Sequence, residues 1–171
     1  MKRILVDLNV VLDVALRRPA HFEASKAFCL AIEARRAIGF LSAHAFPTFY
    51  YVARKDAGPI RALQLVANLA KVFRVASIDG SVITRSLTLG LADYEDALTA
   101  AAAEAAHCEL IVTRDPRGFA ASPVKAVSPE LALASLADEV HEPFEPYDAA
   151  PVRRRRRRSR AGERSAAASA R

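Results

Sequence analysis

Short runs of consecutive apolar residues recur along the chain, each closed by a polar one: Arg3-Ile4-Leu5-Val6 before Asp7, then Gly39-Phe40-Leu41-Ser42, a stretch over 73–78, and Leu110-Ile111-Val112-Thr113. Runs of this length without polar alternation predict strands buried on both faces. A weaker fifth run covers 124–127. Between the runs lie segments of helical length and composition, over 21–36, 43–55, 59–71, 81–90, 93–107 and 129–137. Strands separated by helices predict an α/β fold with right-handed crossovers and a mostly parallel sheet covered on both faces. Ligands of such sheets bind beyond the carboxyl ends of the strands, which directs attention to the polar residues there. Asp7 follows the first strand, Thr113-Arg114-Asp115 follows the fourth, and Asp93-Tyr94-Glu95-Asp96 opens the helix leading into it.

The pattern stops near residue 140. Beyond it, His-Glu-Pro-Phe-Glu-Pro-Tyr-Asp-Ala-Ala-Pro has neither a helical nor a strand period, and six consecutive arginines follow at 153–158. The expected organisation is therefore one folded domain over 1–140 and a tail over 141–171, first Pro-containing and then Arg-rich and disordered. Splitting the charge this way changes its meaning. The net charge of the 171 residues is +6, yet residues 153–171 carry +8 and residues 1–152 carry −2. A mildly acidic body precedes a strongly basic tail.

Composition narrows the class. Hydrophobic residues make up 52% and charged residues 26%, which excludes global disorder and leaves enough apolar surface for one core. Asp7 and Asp13 break what would otherwise be the apolar region of a signal peptide, and no apolar stretch reaches the length of a membrane helix. Cys29 and Cys108 have no CxxC spacing, so neither a disulfide scaffold nor a cysteine zinc site is expected, and the cytoplasm is the expected compartment. The four histidines, His21, His44, His107 and His141, lack metal-ligand spacing and read as surface or packing residues. No GxxxxGK[ST], GxGxxG or GxSxG occurs, which removes support for a nucleotide loop or a serine nucleophile elbow.

The acids carry two readings. Asp93 with Asp96 three residues on has the form of a capping box, Asp115 before Pro116 that of an N-cap, and Asp7 that of a turn residue. Gathered at one sheet edge, however, three carboxylates repel one another unless a cation lies among them, and oxygen ligands suit magnesium or manganese. A phosphoacceptor domain also clusters acids at strand ends, but it needs a DxD-type motif where this chain has Asp7-Leu8-Asn9.

Four segments, taken in order, resemble a PIN domain, and within that family the VapC-like toxin ribonucleases of bacterial toxin–antitoxin pairs. They are Ile4 to Asp13 (Ile-Leu-Val-Asp-Leu-Asn-Val-Val-Leu-Asp), Leu41-Ser42-Ala43 leading to Tyr50-Tyr51-Val52, Asp93-Tyr94-Glu95-Asp96-Ala97-Leu98, and Ile111-Val112-Thr113-Arg114-Asp115-Pro116-Arg117-Gly118-Phe119. The resemblance covers residues 2–138. It implies a three-layer α/β/α fold with a mostly parallel central sheet and an endoribonuclease dependent on Mg2+ or Mn2+. It further implies the role of toxin in a type II pair with a cognate antitoxin, and leaves a homodimer open. By the same resemblance Asp7, Asp96 and Asp115 are the catalytic and metal-holding acids, with Asn9 and Thr113 at accompanying polar positions; of the neighbouring acids Asp93 and Glu95, helical spacing makes Asp93 the better placed to add a carboxylate beside Asp96. Thr48 falls where the family usually carries an acid, so this chain has a neutral hydroxyl there. The alternative is a degenerate PIN domain that binds RNA or assembles with a partner without cutting. Arg54, Lys55, Arg114 and Arg117 are candidate phosphate contacts, and Arg153, Arg154, Arg155, Arg156, Arg157 and Arg158 would add affinity for RNA without sequence preference.

Overall fold

In a computed structural model describing residues 1–138, the apolar runs lie side by side in one sheet. The strands are β1 (Arg3–Val6), β2 (Ile38–Ser42), β3 (Arg74–Ala76), β4 (Leu110–Val112) and β5 (Lys125–Val127). Their order is β3-β2-β1-β4-β5 and every pairing is parallel, with Ile4 opposite Gly39 on one side and Leu110 on the other. The helices are α1 (Leu8–Ala15), α2 (Phe22–Glu33), α3 (Ala45–Val72), α4 (Gly80–Ser86), α5 (Tyr94–Ala105) and α6 (Pro129–Asp138). The fold is the α/β class expected, with three layers. The boundary expected at 140 and the arginines at 153–158 lie outside the described residues.

Successive strand residues face opposite layers. Ile4, Val6, Leu41 and Val112 pack with α1, α2, α3 and α6, where Val10, Phe28, Ile32 and Phe49 are buried. Leu5, Phe40 and Ile111 face the other way, onto α4 and α5. Ala100, Ala101, Ala102 and Ala103 are all buried there, so α5 contributes small side chains to this layer. Gly39 permits the tightest approach in the first layer, since a Cβ on it would stand 2.5 Å from Ile32 and 2.7 Å from Phe73.

Two differences from the sequence reading bear on the site. Residues 8–15, to which the pattern assigns no helix, form α1 directly after β1. The helix is hard to see because Val10, Val11 and Leu12 are buried together with Asp13, leaving no polar face to mark a period. The expected helices over 43–55 and 59–71 are one element, α3, interrupted at Gly58, which has φ +76° and ψ 166° and precedes Pro59. The break itself falls where the sequence places it. Among the described residues no helix is long and apolar enough to cross a membrane.

Candidate functional site

The parallel sheet sends the C-terminal ends of β1, β2 and β4 to one edge, and the chain leaves each of them on a polar residue. Asp7 occupies the junction between β1 and α1 in extended conformation, its backbone N–H donating to Val112 O at 2.9 Å. Its carboxylate is buried with one defined shell. Thr113 Oγ1 donates to Asp7 Oδ2 at 2.6 Å, and Asn9 Nδ2 donates to the same oxygen. Thr113, fully buried, also accepts from Asn9 Nδ2 at 3.3 Å and from the Asp115 N–H at 3.1 Å. Asn9 Oδ1 accepts from the Arg114 N–H at 3.3 Å. Asn9 and Thr113 thus tie the start of α1 to the loop after β4. Burial pushes the Asp7 carboxyl above the usual range, and the hydrogen bond from Thr113 opposes that rise.

Asp115 sits on the far side of this knot, exposed. Its Oδ1 accepts from the N–H groups of Arg117 (3.2 Å) and Gly118 (3.3 Å), which closes a turn rather than capping a helix, and no helix follows Pro116. Asp96 approaches from α5. Asp93 caps that helix through Oδ1, accepting from Glu95 N (2.8 Å) and Asp96 N (3.2 Å), so the capping reading of Asp93 holds while the first turn aims Asp96 at the sheet edge. The Asp96 carboxyl is pushed up to about 6, first by desolvation and then by repulsion from Asp7, Asp93, Asp115 and Glu95. Four carboxylates acting on a fifth are an uncompensated concentration of negative charge.

Gly118 shows how close two of them come. A Cβ on that residue would lie 3.1 Å from Asp96 Oδ2 and 3.3 Å from Asp115 Oδ2, so the missing side chain is what lets both carboxylates line the same small space. Sequence reasoning assigned no role to Gly118, although a glycine three residues after an acid in a tight turn is a usable signal. The donor set fits a hard divalent cation in its chemistry, being all carboxylate oxygen with hydroxyl and amide support. Among the described residues no three His, Cys, Asp or Glu side chains are grouped closely enough to hold one ion.

The remaining candidates separate. Thr48, on the first turns of α3, has its Oγ1 3.2 Å from His44 O and 3.3 Å from Glu95 Oε1, two acceptors that compete for its single hydroxyl proton, and so stands beside Glu95 of α5. His44 also lies at this edge, its Nδ1 2.6 Å from Ser42 Oγ, and burial lowers its pKa while Glu95 opposes the shift. No spacing rule reveals that placement, because His44 reaches the edge through the end of β2. Arg114 is turned inward: its Nη1 stands 3.3 Å from Oδ1 of the fully buried Asp13, which Arg18 approaches to 3.5 Å. That guanidinium braces the loop against α1 and is engaged there rather than free for a phosphate. Arg117 is exposed beside Asp115. Arg54 stacks on Tyr51 at 4.9 Å, and with the exposed Lys55 it lies about 9 Å or more along α3 from Thr48.

Comparison with known proteins gives this geometry a context. Residues 3–117 match a family model described as PIN domain. No curated protein matches the sequence. Among solved structures the chain is similar to DNA-bound VapBC from Salmonella typhimurium, with TM-score 0.60 and 19% identity over 75% of this chain and 99% of that one. It is similar also to VapC20 of Mycobacterium tuberculosis, described as a sarcin-ricin loop cleaving toxin, with TM-score 0.58 and 16% identity over 71% of this chain and 97% of that one. A toxin–antitoxin complex from Klebsiella pneumoniae gives TM-score 0.56 and 22% identity over 74% of this chain and 97% of its own. At these identities the likeness to solved structures is one of fold.

Proposed function

Because the chain belongs to the PIN domain family, matched over residues 3–117, we propose that it is a divalent-metal-dependent endoribonuclease acting in the cytoplasm as the toxin of a type II toxin–antitoxin pair. One observation carries the reading: at the carboxyl edge of the sheet Asp96 Oδ2 and Asp115 Oδ2 lie beside the same residue, Gly118, where the neighbouring charges of Asp7, Asp93 and Glu95 also help to push the Asp96 carboxyl up. Such a cluster costs stability and finds its natural complement in a cation. Asp7, Asp96 and Asp115 would hold magnesium or manganese, which when bound supplies Lewis acidity toward a water and a phosphodiester.

The protein's own contribution is preorganisation. Thr113 and Asn9 fix the orientation of Asp7 by side-chain hydrogen bonds to Oδ2. Backbone N–H groups of Arg117 and Gly118 do the same for Asp115 Oδ1. Carboxylates held in this way lose little freedom when a ligand arrives, and this is where a rigid sheet edge helps. Arg117 is the side chain best placed to meet an RNA phosphate, being exposed in the same turn as Asp115. An antitoxin partner is proposed on the likeness to VapBC and toxin–antitoxin complexes.

The neutral Thr48 favours a second reading, a degenerate domain that binds RNA or a partner without cutting. Turnover separates the two. The purified chain should cleave single-stranded RNA with Mg2+ or Mn2+, stop with EDTA, and lose most activity in Asp7→Asn, Asp96→Asn and Asp115→Asn. Undiminished cleavage by Asp96→Asn would sink the site assignment, and RNA binding without any metal-dependent cutting would establish the degenerate reading.

A further inference from the structure

Hydrogen-bond donors are scarce at the carboxyl edge of the sheet, and most of those placed there are engaged. Asn9 Nδ2 donates to Asp7 and to Thr113, and Thr113 Oγ1 donates to Asp7. The N–H groups of Arg117 and Gly118 serve Asp115. The Thr48 hydroxyl lies between two acceptors, and the Arg114 guanidinium faces Asp13. Of the side chains described at this edge, that leaves Arg117 and His44 with a donor to offer a phosphate.

His44 is brought there by the end of β2. The parallel register sets Leu5 opposite Phe40, and carried two residues on it sets Asp7 level with Ser42, about 5 Å away. Ser42 is buried, with Oγ 2.6 Å from His44 Nδ1, and neither atom has another hydrogen-bond partner among the described residues. Were Nδ1 the donor, the serine O–H would be left buried and unpaired, so the hydroxyl donates and Nδ1 accepts. The imidazole is thereby held as the tautomer protonated on Nε2. Burial lowers its pKa from the ordinary 6.5, which keeps the ring neutral at pH 7. Nε2 has no partner and is not one of the buried polar atoms left without one, which are Asp13 Oδ1 and Arg114 Nε, so its N–H opens to solvent. The ring stands beside the start of α5, close enough for the charge of Glu95 to act on it.

We propose that His44 is a substrate-binding residue whose Nε2–H donates to a phosphate oxygen of RNA lying across the border between α3 and α5, with Ser42 as the positioning residue that fixes the tautomer. The proposal rests on the reading that this edge acts on RNA. A neutral N–H is drawn less strongly to the surrounding carboxylates than a cation would be, and so stays available to a phosphate.

Nitrogen NMR of the full-length chain labelled in its histidines, with His44 assigned through His44→Gln, should show His44 protonated on Nε2. Protonation on Nδ1 would overturn the proposal. Ser42→Ala should bring in a share of the Nδ1-protonated form, and an unchanged spectrum would overturn the role given to Ser42. RNA affinity is read by fluorescence anisotropy of a short labelled oligouridylate with Mg2+ present, on an Asp7→Asn background that prevents cutting. Salt at about 0.3 M suppresses contacts from the arginines at 153–158. His44→Phe, which keeps a ring, and His44→Asn, whose amide reaches only the Nδ1 position, should each weaken binding about fivefold. His44→Gln, whose amide reaches the Nε2 position, should stay within about twofold of the parent. Losses under twofold in both the Phe and Asn variants, or an equal loss in the Gln variant, would overturn the proposal. Thermal melts show which variants fold. If none does, the parent's Nε2 resonance decides, since it should shift when the oligonucleotide is added and would overturn the proposal by standing still. A chain that binds RNA through His44 but cuts none overturns the nuclease reading alone. One that binds no RNA overturns both.

Discussion

Asp7 and Asp96 are both raised by burial, but they differ in what opposes the rise. Asp7 has Thr113 and Asn9 to stabilise its charge, whereas the charges around Asp96 all repel it. A carboxyl raised to about 6 in the folded chain, against 3.8 ordinarily, contributes stability that is fully present below about pH 4 and is lost as pH rises through 6. In EDTA, melting temperature should therefore fall between pH 4 and pH 7. Asp96→Asn should flatten that fall and stabilise the metal-free protein at pH 7 by about 1 kcal/mol, after allowance for solvent screening. A steeper fall in the variant would show that another group is responsible. Gly118 supplies a second test at this scale. Gly118→Ala places a methyl group at 3.1 Å from one carboxylate oxygen and 3.3 Å from another, with no left-handed backbone to strain. Metal-dependent activity should drop at least several-fold while the melting temperature in EDTA moves by no more than about 2 °C. A large loss of stability would mean that the side chains have no room to yield.

At the scale of elements, α1 is the one that the apolar pattern conceals, and it is built around a charge. Asp13 is fully buried, with Ser25 Oγ donating to Oδ2 at 3.2 Å and the cations Arg18 and Arg114 beside Oδ1. Since Arg114 leads directly into Asp115, the pair couples a core carboxylate to the loop that carries a site acid. Replacing one partner strands the other, and Asp13→Ala should cost about 3 kcal/mol in urea unfolding at pH 7. A loss under about 1 kcal/mol would show that the buried charges contribute little to holding the loop. The break in α3 obeys a simpler rule. Gly58 occupies a φ and ψ combination open to glycine almost alone, so Gly58→Ala should destabilise by about 1–3 kcal/mol although nothing stands within 4 Å of the added Cβ.

The whole chain divides by charge. Its first 152 residues carry −2 and offer little long-range attraction to RNA, so the arginines at 153–158 are the expected source of any such attraction. Removing 150–171 from a catalytically dead Asp7→Asn chain should flatten the salt dependence of RNA affinity measured by fluorescence anisotropy, and identical slopes would make the tail a passenger. Strand positions, the parallel arrangement and the division of α3 into segments over 43–55 and 59–71 were legible in the sequence because each rests on a local signal: an unbroken apolar run, or the alternation of runs with helical segments. Asp7, Asp96 and Asp115 stood out because strand ends and a helix start are marked by composition. The tertiary structure alone decided that Arg114 turns to a buried Asp13, that Gly118 leaves the space shared by two carboxylates, that His44 reaches the sheet edge, and that Glu95 meets Thr48 across two layers. Each of these depends on a distance between residues far apart in the chain or on the direction a side chain takes. Local periodicity carries no information about either, and the packing of helices on the two faces of the sheet fixes both.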